Sequence, residues 1–208
     1  MQYSFLALEY KVSIKLPLNT LSFWQQTAFA ACLLERMLPN YAMFSEAVEF
    51  GDANLLRNQL NLIWQRLEQG QIKINYAAQL EKLEDIIPDV DDYDFFGVYP
   101  ALDTCMAMGS LLQGMQDNDD STLLNVPLLS INSVRHYVQL LLAQEHQQQE
   151  EIVLKEADIE EHPLMVWERE TQQEAFDVLQ QAAQNKSTCQ QLKALVLEEK
   201  ISNLGIEY

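Results

Sequence analysis

The stretch TAFAACLL, residues 27 to 34, lies inside a segment with helical character and is apolar on every side of the expected helix. A helix at a protein surface has one apolar and one polar face, so a helix without a polar face must be surrounded by other parts of the protein. Asn19 or Thr20 can cap its start, and Pro39 is expected to turn the chain at its end. We therefore predict a central buried helix over residues 20 to 38.

A second stretch of the same kind is PALDTCMAMGSLLQGM, residues 100 to 115, which is again apolar almost all round. Pro100 suits the first turn of a helix, where its missing N–H group is not needed. We predict a second buried helix over residues 99 to 116. The two apolar helices are expected to pack together at the centre of the molecule.

The remaining segments predict amphipathic helices around this pair. Leu56, Leu60, Ile63 and Leu67 recur at steps of four and three residues, which places them on one helical face. A first amphipathic segment is expected over residues 5 to 16, and the polar residues 144 to 151 are expected to project into solvent. The pattern assigns no secondary structure to residues 201 to 208.

Composition agrees with a helical protein. The chain has 208 residues, of which 48% are hydrophobic, and only six Gly and six Pro interrupt it. No alternating β pattern and no internal repeat is visible. We predict an all-α fold, a bundle of about eight helices that forms a single domain over residues 1 to 208.

The charge of the chain limits its partners. The 31 acidic and 13 basic side chains give a net charge of -18, which repels nucleic acids, and no basic stripe offsets it. Between residues 75 and 120, eleven Asp or Glu stand against Lys82 alone, which leaves -10. This segment is either a solvated acidic face or a surface for a positively charged partner.

The cysteines and the hydropathy of the chain indicate the cellular compartment of the protein. Cys32, Cys105 and Cys189 are odd in number, lie far apart and sit among apolar residues, which indicates reduced cysteines in the core. The amino-terminal segment lacks the features of a signal peptide, and the longest apolar run is too short to cross a bilayer. We expect a cytoplasmic protein that does not enter membranes.

No pattern predicts a metal or a cofactor. Neither Glu-x-x-His pairs nor Cys and His at ligand spacing occur. A calcium loop that starts at Asp92 would place Asp103 at position 12, but Phe96 would occupy a position that needs an oxygen ligand. We instead predict that an acidic group ahead of the second buried helix caps its free N–H groups and faces the positive end of its dipole: Asp89, Asp91, Asp92 and Asp94.

Charged residues inside the two apolar segments form the other candidate site. Glu35 and Arg36 follow the first apolar stretch directly, and Asp103 lies one turn into the second. Buried charges need partners, so we predict that Arg36 meets Asp103, or that Glu35 meets a hydroxyl or amide donor nearby. With Tyr41 and Tyr99 these residues would make a buried polar cluster. The alternative is that Glu35 and Arg36 end their helix and reach water.

Four stretches carry a resemblance that spans essentially the whole chain: ERMLPNYAMF at 35 to 44, FGDANLL at 50 to 56, DDYDFFGVYPALDTC at 91 to 105 and SNLGIEY at 202 to 208. In order and spacing they resemble the YjaG family of bacterial proteins, which has no assigned function. The resemblance implies a cytosolic, helical, single-domain protein and supplies no catalytic residue. Leu38 stands where the family has an aromatic residue.

Two functions are compatible with these patterns. The first is a non-enzymatic acidic module that binds another protein or forms a homodimer through an exposed apolar patch bordered by acids. The second is a small-molecule-binding or hydrolytic enzyme whose pocket contains Glu35, Arg36 and Asp103. We favour the first because no nucleophile, phosphate loop or cofactor motif points to a reaction.

Overall fold

A computed structural model of the protein describes residues 16 to 145 and 154 to 208. Within these ranges the chain forms nine α-helices and two short 3-10 turns, with one isolated β-bridge between Ile201 and Glu207. The helices are α1 (Phe23–Val48), α2 (Ala53–Gln69), α3 (Tyr76–Glu84), α4 (Val98–Asp117), α5 (Asp120–Leu123), α6 (Asn125–Glu145), α7 (Glu156–Glu160), α8 (Pro163–Gln181) and α9 (Lys186–Leu197). The predicted all-α bundle is confirmed. The predicted amphipathic segment at residues 5 to 16 and the polar residues 144 to 151 lie almost entirely outside the described residues.

Helix α1 is the central helix, as predicted. Every residue from Gln26 to Tyr41 is buried, and α2, α4, α6, α8 and α9 all pack against it. The helix is capped by Ser22 rather than by Asn19 or Thr20. The Ser22 side chain accepts a hydrogen bond from the Gln25 amide, and the Gln25 side chain accepts one from the Ser22 amide. This reciprocal pair satisfies two N–H groups that a helix start leaves free.

Pro39 does not end α1, and the prediction of a break there is wrong. The helix continues through Pro39 to Val48. A proline inside a helix costs the hydrogen bond to the residue four positions earlier. Tertiary contacts surround this point of α1: the Asn203 amide donates to the Arg36 carbonyl at 3.0 Å, and the Thr104 hydroxyl donates to the Met37 carbonyl at 3.1 Å. Packing on both sides thus holds the helix together where local preference would interrupt it.

Helix α4 is the second buried helix. It runs antiparallel to α1, because Thr104 in α4 contacts Met37, while Phe95, which precedes α4, stacks on Phe44 further along α1. Half of its residues are buried, but Tyr99 and Met106 are 49% and 48% exposed. The helix therefore has one open face, which the prediction of an almost fully buried helix did not contain.

Turn residues fix the connection between α1 and α2. Gly51 has a φ of 73°, a conformation that side chains disfavour. A Cβ atom at Gly51 would lie 2.0 Å from the Tyr41 hydroxyl, so a larger residue cannot fit without displacing that ring. Asp52 then caps α2 by accepting the amides of Asn54 and Leu55, as its position predicted.

The carboxyl-terminal segment folds back into the bundle. The Ser202 amide donates to the Ile206 carbonyl at 2.9 Å, and the Tyr208 amide donates to the Lys200 carbonyl at 3.1 Å. This narrow turn buries Ser202, Asn203 and Leu204. Residues 202 to 204 are thus part of the core, whereas Gly205, Glu207 and Tyr208 are exposed.

The three cysteines are free and buried, as predicted. Burial raises the pKa of Cys32 and of Cys105 to about 12, so neither thiol ionises near neutral pH. Among the helices that the structure describes, none combines the length and hydropathy that crossing a bilayer requires.

Candidate functional site

Glu35 is buried in the core beside two donors. Its Oε1 accepts a hydrogen bond from the indole Nε1 of Trp64 at 2.7 Å, and its Oε2 pairs with the guanidinium of Arg57 at 2.5 Å. Arg57 lies on α2 and is 38% exposed on its side chain, so the ion pair connects the core to the surface. Glu35 does not reach water at a helix end, and its donors are an indole and a guanidinium rather than a hydroxyl or an amide.

Arg36 is equally buried, but it points to the other side of α1. Its Nη1 donates to the Oε2 of Glu168 on α8, and its guanidinium lies 4.2 Å from the ring centre of Trp167. The predicted pair between Arg36 and Asp103 is therefore wrong. Thr104 is the residue of α4 that faces α1, and one residue along a helix turns the side chain by about 100°, so Asp103 faces elsewhere.

Glu168 receives donors on both carboxylate oxygens. Besides Arg36, the Ser130 hydroxyl donates to its Oε1 at 2.7 Å and the Gln172 amide donates to the same oxygen at 2.8 Å. Glu168 is not among the residues predicted for the site. A signal existed, because Glu168 follows Met165 by three residues and precedes Gln172 by four, a spacing that places it on the inward stripe of α8.

Asn203 connects the carboxyl-terminal segment to this group. Its amide side chain donates to the Ser130 hydroxyl at 3.2 Å, and its Oδ1 accepts from the Asn40 side chain at 2.7 Å. Its backbone amide donates to the Arg36 carbonyl. We call this set the core polar network: Arg36, Asn40, Ser130, Glu168, Gln172 and Asn203.

The core polar network has the features of a structural element. Its one guanidinium and its one carboxylate neutralise each other, and all six side chains are buried. A buried charge pair is tolerated when additional hydrogen bonds satisfy the remaining polar atoms, which Ser130 and Gln172 do here for the carboxylate. The network therefore joins α1, α6, α8 and the carboxyl-terminal segment.

The two tyrosines of the predicted cluster lie in different environments. Tyr41 is fully buried and donates its hydroxyl to the Ile86 carbonyl at 2.9 Å. Burial raises its pKa above the usual value for a tyrosine. Tyr99 is half exposed on α4, so its assignment to a buried cluster is wrong.

Asp103 lies between α4 and α6 and is only partly exposed. Its Oδ2 accepts a hydrogen bond from the Ser133 hydroxyl of α6 at 2.6 Å. Burial raises the pKa of Asp103 from 3.8 to about 6, although the hydrogen bond from Ser133 acts in the opposite direction. None of the ion pairs formed by the described residues includes Asp103.

Aromatic residues and a methionine lie close to Asp103 and Ser133 along α4 and α6. Tyr99 precedes Asp103 by one helical turn on α4, and Tyr137 follows Ser133 by one turn on α6. Phe96 joins them, with its ring centre 6.1 Å from that of Tyr99 and 5.7 Å from that of Tyr137. Met106 lies nearly one turn beyond Asp103. We call this surface the α4/α6 seam, formed by Phe96, Tyr99, Asp103, Met106, Ser133 and Tyr137.

The acidic group ahead of α4 only partly behaves as predicted. Asp89 caps the 3-10 turn Val90–Asp92 by accepting the Asp91 amide at 3.0 Å. No side chain caps α4, whose preceding residue is Gly97. The Tyr99 amide instead donates to the Phe96 carbonyl at 3.1 Å, and Pro100 has no N–H group to satisfy.

The prediction that Asp91, Asp92 and Asp94 cap the buried helix is therefore wrong. All three are exposed and stand next to the half-exposed Phe95. They place negative charge at the end of α4 where Tyr99 is located. As for metals, the described residues include no group of three or more His, Cys, Asp or Glu that could hold an ion.

Comparison with known proteins gives a consistent result. A family described as "Protein of unknown function (DUF416)" matches residues 13–207. The chain is 36% identical over 196 residues to "Uncharacterized protein YjaG" of Salmonella typhimurium, an alignment that covers 94% of this chain and 96% of the relative. It is also 36% identical over 194 residues to "Uncharacterized protein YjaG" of Escherichia coli K12, which covers 93% of this chain and 95% of the relative.

A solved structure has the same fold. The crystal structure of a DUF416 family protein from Shewanella baltica OS155 superimposes with a TM-score of 0.83 at 31% sequence identity. The match covers 92% of this chain and 96% of that one. The arrangement of helices is therefore shared with a protein of known structure along nearly all of its length.

Proposed function

The chain belongs to the DUF416 family, as the resemblance to YjaG proteins indicated, and we propose that it acts without catalysis, by binding a positively charged protein in the cytoplasm. The observation that supports this proposal is the composition of the surface over residues 75 to 120. Eleven acidic residues accompany one lysine there, and three large apolar side chains in the same stretch are exposed: Phe95, Tyr99 and Met106.

Exposed aromatic and methionine side chains are enriched where proteins bind one another. The surrounding negative charge selects the partner, because it attracts basic surfaces over a distance and repels acidic ones. Together these features fit a partner segment that carries both basic and apolar side chains. The partner's apolar groups would cover Tyr99 and Met106 while its cations face the carboxylates.

Self-association through this surface is less favourable. Two copies would bring the same concentration of negative charge together, which costs free energy at low salt. A different protein of positive charge therefore fits the surface better than a second copy of this chain.

An enzyme with Glu35, Arg36 and Asp103 in one pocket finds no support in the contacts. Glu35 is paired with Arg57, Arg36 is paired with Glu168, and Asp103 is bound to Ser133 rather than to either of them. The first two side chains are engaged in holding the core. This separation favours binding over catalysis by these groups.

The proposal is tested by affinity capture from a bacterial lysate. The purified protein is compared with a triple variant, Asp91→Asn, Asp92→Asn and Asp94→Asn, at about 0.05 M and about 0.5 M salt. A matched control removes three exposed carboxylates from α8 through Glu170→Gln, Glu174→Gln and Asp177→Asn. We expect a captured protein that is released at high salt, is depleted with the first triple variant and is retained with the second. Equal capture by all three proteins would contradict the proposal.

A further inference from the structure

Building on the proposed binding function, we propose that Asp103 recognises a lysine or arginine side chain of the protein partner, which enters the α4/α6 seam beside Tyr99 and Met106. The seam is open on one side, since Tyr99 and Met106 are each about half exposed. Asp103 lies between them on the same face of α4, four residues after Tyr99 and three before Met106. A side chain that covers this face meets the carboxylate.

The carboxylate of Asp103 has capacity for a cation. Ser133 donates to Oδ2, whereas Oδ1 receives no hydrogen bond from the described residues. The other two deeply placed carboxylates near α1, Glu35 and Glu168, each have an arginine partner within the chain. Among these three, Asp103 alone lacks an internal cation in the described part of the chain. A charge-assisted hydrogen bond from a partner's side chain would supply it.

The aromatic and methionine side chains of the α4/α6 seam can pack against the apolar stem of a lysine or arginine. Lysine and arginine carry apolar stems that pack on aromatic and methionine side chains while the charged end reaches a polar group. Phe96, Tyr99 and Tyr137 form a contiguous aromatic cluster at one end of the seam. A cation near the face of a tyrosine ring gains further attraction.

The local energetics point in the same direction. Burial raises the pKa of Asp103 to about 6, so its negative charge is costly in the free protein. A bound cation would offset that cost. The exposed carboxylates of Asp91, Asp92 and Asp94 add a negative field that attracts the same cation before contact.

The experiment uses a synthetic amphipathic helical peptide of leucine and lysine, with an analogue in which glutamine replaces every lysine. Binding is measured by titration calorimetry with the intact protein, its Asp103→Asn variant and an Asp177→Asn control that removes an exposed carboxylate from α8. We expect the lysine peptide to bind and the glutamine analogue not to bind. Asp103→Asn should weaken binding by about tenfold or more, and Asp177→Asn by less than about twofold.

The variant remains informative because asparagine can still accept the Ser133 hydrogen bond, and its unfolding curve shows whether it is folded. If folded Asp103→Asn binds as tightly as the unchanged protein while the Asp91, Asp92 and Asp94 triple variant binds more weakly, the role of Asp103 is overturned and the proposed function stands. If the unchanged protein does not distinguish the lysine peptide from the glutamine analogue, both are overturned.

Discussion

The core polar network and the α4/α6 seam answer the same physical problem in different ways. Both place a carboxylate in apolar surroundings. In the core polar network, Glu168 is fully enclosed and receives Arg36, Ser130 and Gln172 from within the chain. In the seam, Asp103 receives one hydroxyl, and none of the described ion pairs includes it.

This difference separates a structural role from a binding role. A carboxylate with a full set of internal donors stabilises the arrangement of the helices that carry those donors. A carboxylate that lacks a cation costs the folded protein free energy, which a ligand can recover. Loss of an internal partner of Glu168 should therefore destabilise the protein, whereas removal of the charge of Asp103 should raise the free energy of unfolding.

The largest effect is expected from Arg36→Met. The substitution leaves Glu168 charged in the core without its ion-pair partner, which should destabilise the protein by about 3 to 5 kcal/mol. Chemical denaturation followed by circular dichroism measures the change. Replacement of both residues, Arg36→Met with Glu168→Leu, should recover much of the loss because no charge remains unpaired. A single variant with unchanged stability would show that the pair does not support the fold.

Asn203→Ala should have the next largest effect. It removes the partner of Asn40 and a donor to Ser130, and it leaves a small cavity where the carboxyl-terminal segment enters the core. We expect a loss of about 2 to 3 kcal/mol, measured in the same way. Glu207→Gln, an exposed change in the same segment, is the control and should be neutral. Equal stability of the two variants would show that the carboxyl-terminal segment contacts the bundle without contributing to its stability.

The fold was largely predictable from the sequence because it rests on apolar periodicity. The stretch at residues 27 to 34 and the stretch at residues 100 to 115 both became central helices. The predicted helix end at Pro39 is wrong because it rests on the local effect of proline alone. The contacts from Asn203 and Thr104 that support the helix come from distant parts of the chain.

The site was less predictable. The sequence indicated that Glu35, Arg36 and Asp103 were unusual, but partners of buried charges depend on which face of each helix meets which neighbour. Glu168 stands among polar neighbours in the sequence, so composition does not mark it as buried, although its spacing places it on the inward face of α8. Asp91, Asp92 and Asp94 were assigned to a cap because acids commonly precede helices, whereas here Gly97 and the backbone of Phe96 begin the helix.

Arg57→Met should have a smaller effect than Arg36→Met, although both remove the partner of a buried carboxylate. Arg57 is 38% exposed and the Trp64 indole continues to donate to Glu35, so part of the ion pair's strength is already screened by water. We expect a loss of about 1 to 2 kcal/mol by chemical denaturation. A loss as large as that of Arg36→Met would mean that solvent exposure does not determine how much each ion pair contributes to stability.

The effect of opposite sign belongs to Asp103, where removal of the charge should stabilise the protein. The pKa of Asp103 in the folded protein is about 6, above its ordinary value of 3.8. Between these two values the folded state binds more protons than the unfolded state, so this group lowers stability as pH rises through the window and its full cost applies above pH 6. Asparagine does not titrate and avoids that cost.

The unfolding free energy of Asp103→Asn and of the unchanged protein, measured side by side from pH 3.5 to pH 8, separates the two roles most directly. We expect the variant to be more stable by about 1 to 2 kcal/mol above pH 6, with the difference shrinking towards zero as pH falls below about 4. The difference between the proteins isolates this group, because all other titrating residues are common to both. A variant that is less stable at every pH would mean that Asp103 supports the fold as Glu168 does, and the distinction between the seam and the core would be lost.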